Sequence, residues 1–384
     1  MREMGNPDRM KIIGNNIKKA RQSLNYTQGY IADKLDIGRP RYSEIENGKR
    51  NISLADLYRF ADLFARPLEF FLNKDATNNS FKVLFRKAEG DTGLSDIIIQ
   101  FEGLCEKMLE LEKINEREVT PSAFDDYKYD TGKLKFWAKH YADYERSRLA
   151  LGTMPLKNLD SILEEKCGLK IFYKPFSDIR KIFGLFANDT RMGGCILINS
   201  SPCAGNQLFS LAHEYAHYLF HKRKVGIISF IKDKDTLDER LANYFASEFL
   251  MPADEIISTF TKTVKSNKNI TPEDVIYFAD YYGVSFQSMA YRLNNLSLIK
   301  NKQKEMLLEE TYVNALRVST GREEPSREKR KFPAYYTRLC INAYIKNKIT
   351  PAVLANFLEI PLYEAMEMGK ELEEAKKYGR EKAL

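Results

Sequence analysis

No stretch of this 384-residue sequence approaches the ~18 consecutive apolar residues of a membrane-spanning helix, so no membrane partner is expected. Met1 to Met10 has no apolar centre either: Arg2, Glu3, Asp8 and Arg9 interrupt it, and no secretory leader is expected there. Cysteine is scarce. The five residues, at positions 105, 167, 195, 203 and 340, form no C-x-x-C pair and are odd in number. That argues against a disulfide framework and for reduced thiols in a cytoplasmic protein. Histidine is scarcer still, with four in the whole chain. What is present, 43% hydrophobic and 29% charged residues, is the balance of a folded chain rather than a disordered one. The length exceeds one ordinary domain and suggests two or three.

The net charge is +7, and the basic excess lies at the two ends, residues 1–75 and 300–384, around a near-neutral middle. A basic end of this size is the footprint of a nucleic-acid module, the alternative being a solvated lysine-rich face. Residues 11–72 read as short amphipathic helices. Ile12, Ile13, Ile17 and Ala20 recur at helical spacing and Leu24 closes their face. Thr27 is placed to cap a second helix carrying Ile31, Ala32 and Leu35, with Ala32 small where two helices cross. Asp36-Ile37-Gly38 makes a turn. A third helix has Pro40 in its first turn and Tyr42 and Ile45 inward, and ends at Asn47-Gly48. Two small helices joined by a glycine-containing turn are the signature of a helix-turn-helix.

The run YTQGYIADKLDIGRPRYSEIENGKR (26–50) resembles the Cro/repressor-type helix-turn-helix, including its T-Q start and I-E-N-G-K end. The resemblance implies double-stranded DNA as a partner. It puts Gln28, Asn47, Lys49 and Arg50 against phosphates and Arg39, Pro40 and Glu44 against base edges in the major groove. Arg39 is foremost among these, because a guanidinium pairs bidentately with guanine.

A polar linker at 73–80 follows. Leu94, Ile97, Phe101, Leu104, Met108 and Leu111 then recur at three and four residues, the pattern of a core helix or of a homodimer seam. Helices are expected over Phe136–Leu151 and Leu156–Glu165. Strand-like runs follow at 169–176, 182–188 and 194–200, with Asp189 and Gly193-Gly194 as turn signals. Helices, a small sheet and more helices define an α+β domain in a mainly α chain.

Three of the four histidines fall within nine residues: His213, His217 and His221, with Glu214 after the first. On a helix, positions i and i+4 share a face about 6 Å apart, so His213 and His217 can grip one metal ion. Glu214 sits beside the pair, where a general base for water is needed. A structural metal clip and plain core histidines are the alternatives. His221, eight residues on, lies ~12 Å along a continuous helix and cannot join them as a ligand. The spacing also lacks the glycine that brings a third histidine round in the longer H-E-x-x-H-x-x-G-x-x-H pattern. A third ligand is better sought in DERLANYFASEFLMP (238–252), a second amphipathic helix. Its Leu241, Phe245 and Phe249 face the core, and Glu239 and Asn243 lie one turn apart on another face.

FSLAHEYAHYLFH (209–221) with ERLANYFASEFLMP (239–252) resembles the ImmA/IrrE family of metallopeptidases. The likeness runs from about 81 to 299 through VLFRK (83–87), CILINSS (195–201) and FADYYGVSFQSMAYRLNNLSLI (278–299). It implies a zincin-like fold and a Zn²⁺ ion held by His213, His217 and Glu239, with Asn243 as a helix-packing companion. It further implies Glu214 as the catalytic residue, and a protein substrate, a repressor, cut at one place. Asn206-Gln207 departs from the family, where many relatives carry a basic residue.

At the far end, Thr350, Leu354, Ala355, Leu358 and Ile360 repeat the spacing of Thr27, Ile31, Ala32, Leu35 and Ile37. A looser copy runs from Phe278-Ala279 to Gly283-Val284-Ser285. Glu364, Glu367, Glu371, Glu373 and Glu374 follow the last copy and would repel phosphate, so it reads as protein packing. Residues 322–331 read as an exposed linker. The expected organisation is an all-α helix-turn-helix head over 1–75, a zincin-like metallopeptidase domain with preceding helices over 81–299, and a helical segment over 300–384. The expected function is a cytoplasmic DNA-binding regulator carrying a zinc endopeptidase. The alternative is a non-catalytic regulator or antitoxin-like module that uses the same fold as sensor or scaffold.

Overall fold

The computed structural model describes residues 7–23, 26–64, 68–72, 81, 84, 88, 92–117, 126–156, 158–176, 182–189, 192–221, 226–230, 233, 235–263, 270–309 and 332–377. Leu24, the 73–80 and 322–331 linkers and most of 83–87 lie outside them. The described elements begin with α1 (Pro7–Ser23), α2 (Gln28–Lys34), α3 (Arg39–Glu46), α4 (Leu54–Leu63), α5 (Leu68–Leu72), α6 (Thr92–Ile114), α7 (Leu134–Arg148) and α8 (Leu159–Cys167). Strands β1 (Lys170–Lys174), β2 (Ile182–Asp189) and β3 (Gly193–Asn199) come next, then α9 (Ala204–Phe220), β4 (Gly226–Phe230), α10 (Leu237–Leu250) and α11 (Ala253–Thr263). The chain continues through α12 (Pro272–Tyr282), α13 (Phe286–Asn295), α14 (Asn301–Leu307), α15 (Ala334–Ile345), α16 (Pro351–Leu358) and α17 (Leu362–Lys377). The fold is mainly α with one small mixed sheet, and no described helix is long and apolar enough to cross a membrane.

Two compact units result. One comprises Met1–Thr120, Asp189–Gly193 and Ala334–Leu384, the other Pro121–Asn188 and Gly194–Pro333. In the first, α2 and α3 form the helix-turn-helix. The Thr27 hydroxyl accepts the Tyr30 N–H at the start of α2, and Ile31, Ala32, Tyr42 and Ile45 are buried. The left-handed residue of the turn is Asp36 (φ 51°), while Gly38 is extended (φ −67°) and opens α3. A short polar side chain tolerates that conformation better than most, so the turn does not need its glycine there. The backbone of α1 runs against the end of α3: a Cβ on Gly14 would lie 2.4 Å from the Ile45 carbonyl oxygen.

The apolar stripe of α6 is covered by α15 of the same unit, and Phe101, Met108 and Leu111 are fully buried. Asn115 Nδ2 ties the end of α6 to α15 by donating to the Leu339 carbonyl (3.1 Å). The repeat at the far end is real in three dimensions. Thr350 caps α16 as Thr27 caps α2, and Leu354, Ala355 and Leu358 are buried like Ile31, Ala32 and Leu35. Glu359 takes the left-handed turn position (φ 50°) at the offset of Asp36. The looser copy differs because α12 is a turn longer, which delays its left-handed residue to Gly283 (φ 70°).

In the second unit the strand order is β1-β3-β2-β4, with β1 parallel to β3 and β2 antiparallel to β4. A register shift between Ile182 and Gly184 marks an irregularity in β2. The core is continuous from the sheet through α9 and α10 to α12 and α13, and includes Ile171, Ile196, Tyr215, Phe245, Phe278 and Met289.

Candidate metal centre and DNA-reading face

Helix α9 is the central element of its unit, with every residue from Ser210 to Phe220 buried. Its apolar residues fix its place, and the period of the helix aims His213 and His217 to one side, ring centroids 4.9 Å apart. Helix α10 packs against α9 and against α7. Its start is set by Thr236, whose hydroxyl accepts the Glu239 N–H and so holds Glu239 in the first turn. Its end is anchored by two buried arginines. Arg146 donates to the carbonyls of Phe249, Gly152 (2.7 Å) and Met154 (2.6 Å). Arg292 donates to Met251 O (2.9 Å) and pairs bidentately with Glu248 (2.7 and 2.6 Å).

The two helices bring three donor atoms into a triangle. His213 Nε2 lies 3.2 Å from His217 Nε2 and 3.0 Å from Glu239 Oε2, and His217 Nε2 lies 3.3 Å from Glu239 Oε1. Among the described residues this is the set that could hold a metal ion. Behind it, His213 Nδ1 meets Asn243 Oδ1 at 3.0 Å. His221, one residue beyond α9, stands outside the triangle with its Nδ1 3.0 Å from His217 Nδ1.

Glu214 is fully buried, and the Ser229 hydroxyl of β4 is the polar side chain that meets its carboxylate. Glu214 faces Gly184 of β2, where a Cβ would come within 2.7 Å of Glu214 Oε1. Ser229 of β4, paired in register with Gly184, is likewise buried. Burial pushes the Glu214 carboxyl up to about 7. Burial also takes the His217 imidazole down to about 4. For His213, burial pulls downward but the Glu239 carboxylate beside it outweighs this and raises the ring. Glu239 resists its own burial because both histidines hydrogen-bond its oxygens, and it stays well below the usual carboxylate range.

In the head, Arg39, Pro40, Glu44, Asn47, Lys49 and Arg50 are exposed and Gln28 is half-buried. Gln28 turns inward and donates to Glu46 (2.8 Å), a buried carboxylate also held by Arg21 (2.6 and 3.1 Å). Asn47 donates to its own helix at Ser43 O (2.8 Å), and Arg50 pairs with Glu44 (2.8 Å).

Sequence reasoning did not find Gly184, Ser229, Asp238, Tyr129 or Arg146. Of these only Gly184 left a signal, a glycine inside the apolar strand run IFGLFAN, which marks a close approach.

A helix-turn-helix head joined to an α+β domain with a buried His-His-Glu cluster across two helices defines a regulator-type chain with a metallopeptidase-type centre. Comparison with known proteins places both parts. Residues 17–71 match the helix-turn-helix family, and residues 164–294 match the family described as the IrrE N-terminal-like domain, a metallopeptidase family. The chain thus carries an IrrE N-terminal-like domain over 164–294 behind a helix-turn-helix domain over 17–71. Control protein C.MunI of Mycoplasma sp is 43% identical over 50 residues, 13% of this chain and 68% of that protein. The uncharacterized HTH-type transcriptional regulator YqaE of Bacillus subtilis (strain 168) is 29% identical over 80 residues, 21% of this chain and 69% of that protein. The head therefore supports DNA binding and transcription regulation.

Proposed function

We propose that this chain is a zinc-dependent endopeptidase held at DNA by its own helix-turn-helix head, acting in the cytoplasm and cutting a repressor or partner protein to change transcription. The observation that carries this reading is the fully buried Glu214 carboxylate, one residue from a triangle of metal-type donors. A packing residue or a structural metal clip has no use for a buried carboxylate there, whereas a general base for water needs one. The donors fit zinc. Two ligands at ~2.1 Å across a tetrahedral angle stand ~3.4 Å apart, and the three edges here are 3.2, 3.0 and 3.3 Å.

His213, His217 and Glu239 would hold the ion, which when bound supplies Lewis acidity toward a peptide carbonyl and toward water. Glu214 takes a proton from the attacking water at a carboxylate oxygen and returns it to the leaving amine nitrogen. Its ionisation near neutrality suits both transfers. Gly184 and the walls of β2 and β4 keep that carboxylate out of bulk water. In the head, Arg39, Pro40 and Glu44 would face base edges. Lys49 and Arg50, with Asn47 and Gln28, would meet phosphate, and Arg50 and Gln28 must first leave Glu44 and Glu46.

The test compares new protein N-termini in cells making the parent chain with those making Glu214→Gln at equal level. A terminus present only with the parent, and absent again with Glu239→Ala, is the expected result. Indistinguishable sets under every condition in which the regulated genes change would favour the non-catalytic regulator.

A further inference from the structure

His221 has no place in the proposed mechanism, yet it is 2% exposed and bonded on both of its ring nitrogens. Its Nδ1 is 3.0 Å from His217 Nδ1, and its Nε2 is 3.2 Å from Asp238 Oδ1 and 3.3 Å from Tyr129 Oη. Tyr129 Oη also reaches Asp238 Oδ1 at 3.4 Å. One proton arrangement satisfies all of these contacts. If His217 Nε2 is to bind a cation its lone pair must be free, so the ring proton sits on Nδ1. That N–H donates to His221 Nδ1. The proton of His221 is then on Nε2 and is shared between the Asp238 carboxylate and Tyr129 Oη as acceptors, while the Tyr129 hydroxyl donates to Asp238.

Resting on the metal-site reading above, we propose that His221, Asp238 and Tyr129 form a relay that positions His217 and fixes its tautomer, so that Asp238 serves the metal through two imidazoles. The first turn of α10 thus delivers two consecutive acids to the centre, Glu239 as a direct donor and Asp238 through the relay. The two histidine ligands are backed unequally: His213 by the neutral amide of Asn243, His217 by a chain that ends on a carboxylate. A carboxylate behind a ligating histidine raises its basicity, and loss of such a partner costs roughly 10–100-fold in metal affinity.

The test is zinc affinity of the full-length chain at fixed pH, by competition with a chromophoric chelator, together with the visible spectrum of the cobalt-substituted protein. His221→Phe is expected to bind zinc roughly 10–100-fold more weakly and to shift the cobalt bands. His221→Gln, whose carbonyl oxygen can accept the His217 N–H, is expected to recover part of the loss. Asp238 is partly exposed, so Asp238→Asn leaves the packing in place; it keeps the hydrogen bond, loses the charge, and is expected to weaken zinc severalfold with the fold intact by circular dichroism. Zinc affinity within twofold of the parent for both His221→Phe and Asp238→Asn, with unchanged cobalt spectra, overturns the relay while leaving the metal site standing. A parent chain that binds no zinc in the same assay overturns the metal reading and the relay with it.

Discussion

Gly184 sets how closely the sheet approaches Glu214. Replacing it by alanine places a methyl group 2.7 Å from Oε1, and the strand on one side and the buried stretch Ser210–Phe220 of α9 on the other leave little room to yield. Gly184→Ala is therefore expected to reduce proteolysis by orders of magnitude while zinc content stays at the parent level, at a cost of about 1–3 kcal/mol in stability from overpacking. Full activity in this variant would show that Glu214 is not held by that contact. In the head, Glu46 is a second buried carboxylate with the opposite shift. Burial would raise it, but hydrogen bonds from Arg21 and Gln28 hold it below its ordinary value of 4.5. Its folded value is lower than its unfolded one, so its contribution to stability is present above pH 4.5 and is lost as pH falls through the folded value. Denaturant unfolding across pH 3 to 7 should show the parent losing its advantage over Glu46→Gln on acidification, and a gap independent of pH would contradict the assignment. At this scale the H-E-x-x-H pair was legible because i and i+4 meet on any helix. Glu239 needed the family resemblance, and Ser229, Asp238 and Tyr129 were out of reach because they arrive from elements distant in sequence.

Among the elements, the predicted strands at 169–176, 182–188 and 194–200 appear as β1, β2 and β3 within a residue or two at most ends. Apolar and β-branched runs bounded by turns report strands buried on both faces. Strand β4 was not foreseen, since GIISF is only five residues long and stands between charged runs of sequence. The helix-turn-helix was legible from Thr27 and the spacing of Ile31, Ala32 and Leu35, but the identity of the left-handed turn residue was not. Glycine is the default for that conformation, yet Asp36 in the head and Glu359 in the repeat both adopt it. Helix α10 was recognised by its apolar face, whereas its anchorage by Arg146 was not, because the guanidinium serves carbonyls up to 103 positions away. Burial lowers the Arg146 guanidinium to about 10, still charged at neutral pH. Arg146→Met would leave three carbonyls without their donor, and a loss of about 3 kcal/mol in the unit that contains α10 is expected from thermal unfolding. A change under 1 kcal/mol would mean that other donors replace it.

Across the whole molecule, charge and chemistry are distributed differently. The basic surplus sits toward the ends and the metal-type donors sit in the near-neutral middle. A fragment covering 121–333 contains the whole donor triangle and none of the helix-turn-helix. It is expected to bind zinc like the full chain and to lose DNA binding, measured by zinc analysis and by fluorescence anisotropy over a salt series. DNA binding by the fragment equal to that of the full chain would detach DNA recognition from the head.

In the proposed function, His213, His217 and Glu239 hold a zinc ion for which Glu214 is the base. The most direct check is elemental analysis of the purified full-length protein beside two variants. About one zinc per chain is expected in the parent and in Glu214→Gln, which keeps all three ligands, and near none in Glu239→Ala. A parent without stoichiometric zinc after purification in zinc-containing buffer, or a Glu239→Ala chain that retains it fully, would contradict the account.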